Sequence, residues 1–200
     1  MDKRQFVKTM IFGTGGLCFC NPGNVAATVL PAHEVGKKWT KEALFYTTTP
    51  KGIRCLICPN ECDIKEGETG DCHNRLHKNG KLYSIAYGNP CAIHVDPIEK
   101  KPLNHFLPAS KAFSIATAGC NLACLNCQNW TISQKSPAET KNYDLLPDKV
   151  VESCLENKCE SIAYTYSEPI TFYEYTHDSS VLARQAGIKK IGRASCRERV

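Results

Sequence analysis

The sequence predicts an α/β chain in which a parallel sheet, faced by helices, follows a small cysteine-rich domain. Three observations carry this. From residue 111 onward the hydrophobic pattern repeats as strand, loop and helix. Three cysteines sit within eight residues in one of those strand-to-helix loops. Upstream of the sheet, four more cysteines are interleaved with Pro and Gly.

Residues 1–31 read as a leader-like segment. Asp2-Lys-Arg-Gln-Phe-Val-Lys8 resembles a twin-arginine export signal with Lys3 in place of the first arginine, and Met10 to Phe19 is a weak apolar region. A basic tail before a short buried segment is the other reading. The apolar run is broken by Gly and by Asn21-Pro22 and is too short for a membrane span. Glu34 to Phe45, with Trp39, reads as a short helix, and Thr47-Thr-Thr-Pro50 as a linker.

The cysteine-rich domain spans residues 50–110. Cys55, Cys58, Cys62 and Cys72 offer four thiolates separated by turn formers, as a knuckle around a tetrahedral ion requires. Zinc or a second iron-sulfur cluster satisfies such a set. His73 and His77 are nearby ligand types, more simply read as surface residues. Gly80 to Tyr87 alternates as a strand does. Asp96-Pro-Ile-Glu-Lys-Lys-Pro-Leu-Asn-His-Phe106 reads as an ordered connection whose charges are solvated.

The sheet region, residues 111–191, opens with the apolar strand Ala112 to Ala118. Its loop carries Cys120, Cys124 and Cys127, and Leu146 to Glu156 follows as a helix with Val150, Val151, Cys154 and Leu155 on one face. Ser161 to Thr165 is the next strand, Tyr166-Ser-Glu-Pro169 its loop, and Thr171 to Ala186 a helix stopped at Gly187. Ile188 to Ile191 begins a third strand. In parallel sheets ligands bind at the carboxyl ends of the strands, where both loops lie. The tail, residues 192–200, fits neither periodicity, is rich in arginine, and reads as the end of a truncated or frame-disturbed chain with Cys196 outside any site.

Composition narrows the function classes. The net charge is +5, with Lys and Arg scattered among Asp and Glu, so nucleic-acid binding has no basic stripe to rest on. Thirteen cysteines would imply a disulfide framework in a secreted chain. Two groups at ligand spacing point instead to metal thiolates in a reducing compartment.

Three thiolates cannot close a four-ligand site, so the C-x3-C-x2-C triplet suits a [4Fe-4S] cluster with one iron open to another ligand. Free core cysteines, or a zinc site completed from elsewhere, are the plainer readings. Taken together, the Cys55 to Cys72 group, Asp96 to Phe106, Ala118-Gly-Cys-Asn-Leu-Ala-Cys-Leu-Asn-Cys-Gln-Asn-Trp130 and Tyr164-Thr-Tyr-Ser-Glu-Pro169 resemble the radical S-adenosylmethionine (SAM) enzymes of the AmmeMemoRadiSam system. Those are relatives of the pyruvate formate-lyase activating enzymes. The likeness runs from Gly52 to Ile191. It implies a truncated radical SAM partial (β/α) barrel, with Cys120, Cys124 and Cys127 on the cluster and Glu168 on the SAM amino group. The residue before the third cysteine, aromatic across the broad superfamily, is Asn126 here. The resemblance further implies a 5'-deoxyadenosyl radical that takes hydrogen from a substrate, a protein glycine among the candidates. Reduced flavodoxin or ferredoxin is the implied electron donor, and proteins of the AmmeMemoRadiSam system the implied partners. SAM and low-potential donors place such an enzyme in the cytoplasm, with twin-arginine export the alternative. An iron-sulfur electron carrier or a zinc-knuckle interaction module are the competing functions.

Overall fold

The structure, a computed structural model, describes residues 38–192. The leader and the tail after Gly192 lie outside the described residues, as do the first four residues of the helix expected over Glu34 to Phe45. Its described part is no helix. Lys38 and Trp39 turn into a two-residue strand β1 (Lys41–Glu42), which pairs antiparallel with Ser84 and Tyr83. The expected linker is also a strand. Tyr46 and three threonines, β-branched and at home on a pleated surface, form β2 (Tyr46–Thr49) against β3 (Gly52–Cys55).

Two small antiparallel sheets result. One has the order β2, β3, β4 (Asp63–Ile64), and the other the order β1, β6 (Lys81–Ser84), β5 (Arg75–Lys78). Ala43, Ile53, Cys55, Ile64 and Leu82 form their shared core.

The main sheet is built in chain order: β7 (Ala92–Pro97), β8 (Lys111–Ala116), β9 (Ser161–Tyr164), β10 (Lys189–Gly192). The last three are mutually parallel, and β7 runs antiparallel to β8. The first two residues of the segment read as a solvated connection, Asp96 and Pro97, therefore end the sheet's edge strand. The four strands form an open sheet.

Between β8 and β9 the chain makes a single helical turn, α1 (Trp130–Ser133), and then α2 (Pro147–Glu156). Pro147 occupies the first turn, where its missing N–H is no loss. Pro169–Phe172 is a 3-10 turn leading into α3 (Tyr173–Gln185). Both long helices close with paired backbone bonds to the C=O groups of the last turn, Cys159 to Cys154 and Lys158 to Leu155 in α2, Ile188 to Ala183 and Gly187 to Arg184 in α3. Gly187 adopts the left-handed φ of 73° that this cap requires.

Period-2 alternation divides the sheet's faces. Phe113, Ile115, Ile162 and Tyr164 pack with Val150, Cys154, Phe172, Tyr175 and Ala183 from the helices. Leu155, expected on that buried face, is 53% exposed, because the stripe of α2 that meets the sheet runs through Val150 and Cys154. The opposite face carries Ala112 and Ala163 with Ile98, and beside them the polar residues Ser114 and, on β7, His94 and Asp96. No helix among the described residues is long and apolar enough to cross a membrane.

Candidate functional site

Strands β8 and β9 end side by side, so the loops that leave them meet. Asn129 Nδ2 donates to the Tyr166 carbonyl at 3.0 Å, and Ser167 Oγ donates to the Thr117 carbonyl at 2.8 Å. The backbone N–H groups of Leu122 and Glu168 lie near enough to the Cys120 sulfur to act on its thiol. Burial holds the Cys120 thiol above its ordinary pKa, these two N–H groups pull the other way, and the Glu168 carboxylate adds to the upward push. Cys120 is buried, Cys127 half-buried with its sulfur 3.5 Å from Ser133 Oγ, and Cys124 exposed. The cysteine triplet and Glu168 thus share one end of the sheet.

An open cleft of about 480 Å³ adjoins the two loops, lined by Gln128, Asn129, Thr165 and Tyr166, and by His94, Lys100 and Lys101 from the β7 side. Tyr166 has a left-handed φ of 66°, uncommon for a bulky residue. Its phenol donates to Asp96 Oδ2 and lies beneath Lys101, whose Nζ is 4.7 Å from the ring centroid. Lys101 and Asp96 form an ion pair at 2.6 Å with side chains 3% and 6% exposed, and Lys100 binds the other carboxylate oxygen at 2.7 Å. Burial and the Asp96 carboxylate together push the Tyr166 phenol above its usual range. The reading of Asp96 to Phe106 as solvated charge is corrected here for two residues: β7 carries Asp96 onto the sheet's polar face, and the 3-10 turn Ile98–Lys100 brings Lys101 back to pair with it, both buried.

The second cysteine group lies on the small sheets. Cys55, Cys58, Cys62 and Cys72 line a single cavity together with Arg75. Burial pushes the Cys72 thiol up to about 12 and raises those of Cys55 and Cys62. The ten described cysteines are free thiols. Neither cysteine group is drawn in to a finished ligand set, and no cluster of three or more His, Cys, Asp or Glu among the described residues stands at metal-holding geometry. His77 is no surface residue: it is buried, with Nδ1 2.8 Å from the Ile64 carbonyl and Nε2 3.0 Å from Glu66, so both ring nitrogens are engaged structurally. His73 is half-buried at a left-handed φ of 59°.

The two cysteine groups adjoin one another. Gly119, at φ 87°, packs so closely that a Cβ there would stand 2.2 Å from the Cys72 carbonyl and 2.7 Å from Asn74 Oδ1. Asn60 Nδ2 reaches the Asn121 carbonyl at 3.3 Å. Arg75 and Glu174 form a buried ion pair at 2.8 Å, side chains 2% and 0% exposed, joining β5 to α3. Sequence reasoning missed Asn74, Arg75, Glu174, Asp96 and Lys101 as site-building residues. The two glutamate and arginine partners are 99 positions apart, and no local pattern marks them.

Over 149 residues the chain is 48% identical to the uncharacterized protein MJ0808 of Methanocaldococcus jannaschii, an alignment that takes in 74% of this chain and 45% of the relative. The chain thus spans less than half the length of that protein. No protein-family model matches it, and no solved structure matches it.

Proposed function

We propose that this chain carries the cluster-binding and SAM-binding part of a radical SAM enzyme related to those of the AmmeMemoRadiSam system. The observation that supports this most directly is the meeting of the two loops, in which Asn129 Nδ2 donates to the Tyr166 carbonyl and Glu168 lies near enough to Cys120 to act on its thiol. Cys120, Cys124 and Cys127 would hold three irons of a [4Fe-4S] cluster, and the donor set fits because it leaves the fourth iron open. When bound, the cluster and SAM supply reductive cleavage of the sulfonium and a 5'-deoxyadenosyl radical for hydrogen abstraction.

The protein's own part is position and environment. Glu168 pairs with the ligand's ammonium group, a charge-assisted contact that fixes its orientation. The Leu122 and Glu168 N–H groups on Cys120 stabilise a thiolate and tune a cluster bound there. Asn129 locks the triplet loop to Tyr166, so the two halves of the site keep one spacing. The cleft beside them receives the remainder of the ligand or the substrate, with Lys100 and Lys101 on its far wall. Reduced flavodoxin or ferredoxin is the fitting electron donor, and proteins of the AmmeMemoRadiSam system are the fitting partners.

Anaerobic reconstitution is expected to give a [4Fe-4S] electron paramagnetic resonance signal that changes when SAM is added. Replacing Cys120, Cys124 or Cys127 by Ala should abolish it, and Glu168→Gln should weaken SAM binding by about tenfold to a hundredfold. A SAM-responsive cluster in the triple cysteine variant would overturn the reading.

A further inference from the structure

The four cysteines beside Arg75 pose a separate question, independent of SAM chemistry. Their cavity measures about 10 Å³, room for a single atom-sized occupant. That space is nearer the size of one ion than of a four-iron cube with its sulfides. A single tetrahedral ion suits it, since it replaces cavity with four metal-sulfur bonds of about 2.3 Å.

The surroundings ask for negative charge. Arg75 is 1% exposed and lines the cavity. Its Nη1 is taken by Glu174, but Nε and Nη2 are buried without a hydrogen-bond partner. Leaving two donors of a guanidinium unpaired in the interior is costly, and native structures rarely tolerate it. The four cysteines share the cavity's lining with Arg75, and its charge acts on Cys55 and Cys72. A neutral thiol is a poor acceptor, whereas four thiolates around a divalent ion carry two net negative charges and accept well.

Main-chain geometry points the same way. Backbone N–H groups of Ile57, Asp71 and Asn74 act on the thiols of Cys55, Cys62 and Cys72 respectively and favour their thiolates. N–H contacts to sulfur are the outer-shell bonds that orient metal-bound cysteines. Closing the set on an ion calls on the single side-chain torsion that each cysteine has.

We propose that Cys55, Cys58, Cys62 and Cys72 bind one tetrahedral divalent ion, zinc being the ion four thiolates ordinarily take, with Arg75 donating to the bound sulfurs. The ion then fixes the Cys72–Arg75 segment against which Gly119 packs, and the turn between Cys58 and Cys62 whose Asn60 reaches Asn121, so it acts as a structural support for the triplet loop.

The test uses the whole chain carrying Cys120→Ala, Cys124→Ala and Cys127→Ala, which removes the triplet and leaves this site intact. Metal analysis after anaerobic purification is expected to find about one zinc per chain, retained through chelator treatment. No metal above background, or iron and sulfide in fours, would overturn the proposal. Cobalt(II) added to the chain after its zinc is released at acid pH and the pH restored should give thiolate charge-transfer and tetrahedral visible bands that Cys62→Ser abolishes, and their absence from the folded parent would count equally against it. The pair Arg75→Met with Glu174→Gln, which leaves no charge unpaired, should weaken cobalt binding by about tenfold to a hundredfold. Unchanged affinity would remove Arg75 from the site.

Discussion

Asp96 takes hydrogen bonds from Lys100, Lys101 and Tyr166 on the polar face of the main sheet. Burial alone raises the pKa of such a carboxyl, but these donors together with Ser114 outweigh it and hold Asp96 well below the usual carboxylate range. The sign follows from linkage. A carboxyl whose folded pKa is depressed stabilises the fold above its unfolded value of about 3.9, and that stabilisation is lost as pH falls from there through the folded pKa. Urea midpoints should therefore drop on acidification below about pH 4, and Asp96→Asn should flatten the drop. At neutral pH the same substitution leaves the Lys101 ammonium buried without its anion and should cost about 3–5 kcal/mol. Equal acid slopes for parent and variant would show that Asp96 is not the responsible group.

The loop from β8 to α1 is held from outside as much as by its own sequence. Gly119 lies against the Cys72 carbonyl in a left-handed conformation, so Gly119→Ala meets both the backbone penalty of about 1–2 kcal/mol and an overpacking penalty of about 1–3 kcal/mol. Gly187→Ala, at φ 73° with open space around it, meets only the first. Urea titrations should separate the two by the size of the midpoint shift with m unchanged. Iron loading after reconstitution should fall for Gly119→Ala and hold for Gly187→Ala. These elements also mark how far sequence reading reaches. β8, β9 and β10 were legible because apolar and β-branched runs repeat over a few residues, and the meeting of the triplet loop with Tyr166 to Pro169 followed from parallel strands ending together. β1 was lost inside a helix reading because a two-residue strand has no periodicity of its own and exists only through Tyr83 and Ser84. The burial of Asp96 was invisible for a similar reason: its partner Tyr166 is 70 residues away, and Asp-Pro-Ile-Glu-Lys-Lys taken alone has the composition of a surface.

Across the whole molecule, polar contacts join the small sheets to the main sheet's helices. Glu174 binds Arg75 of β5 and accepts the Leu44 N–H at 3.0 Å, while Asn74 Nδ2 reaches Thr171 Oγ1 at 3.3 Å. The two parts should consequently unfold in one transition. In a Trp130→Phe background, Trp39 fluorescence reports the contact of that residue with Asp144 and far-ultraviolet circular dichroism reports the rest, and the two curves should coincide. Glu174→Ala strands a buried guanidinium and should lower both together by about 3–5 kcal/mol. Two separated transitions would mean that the parts are independent. The order of the main sheet, β7, β8, β9, β10, is also the order in which a ribosome makes it. Every strand therefore finds its neighbour already synthesised, and none must be kept apart while a later partner is awaited. The sheet can grow outward from β7 one edge at a time during translation, with the cysteine knuckle emerging before any of it.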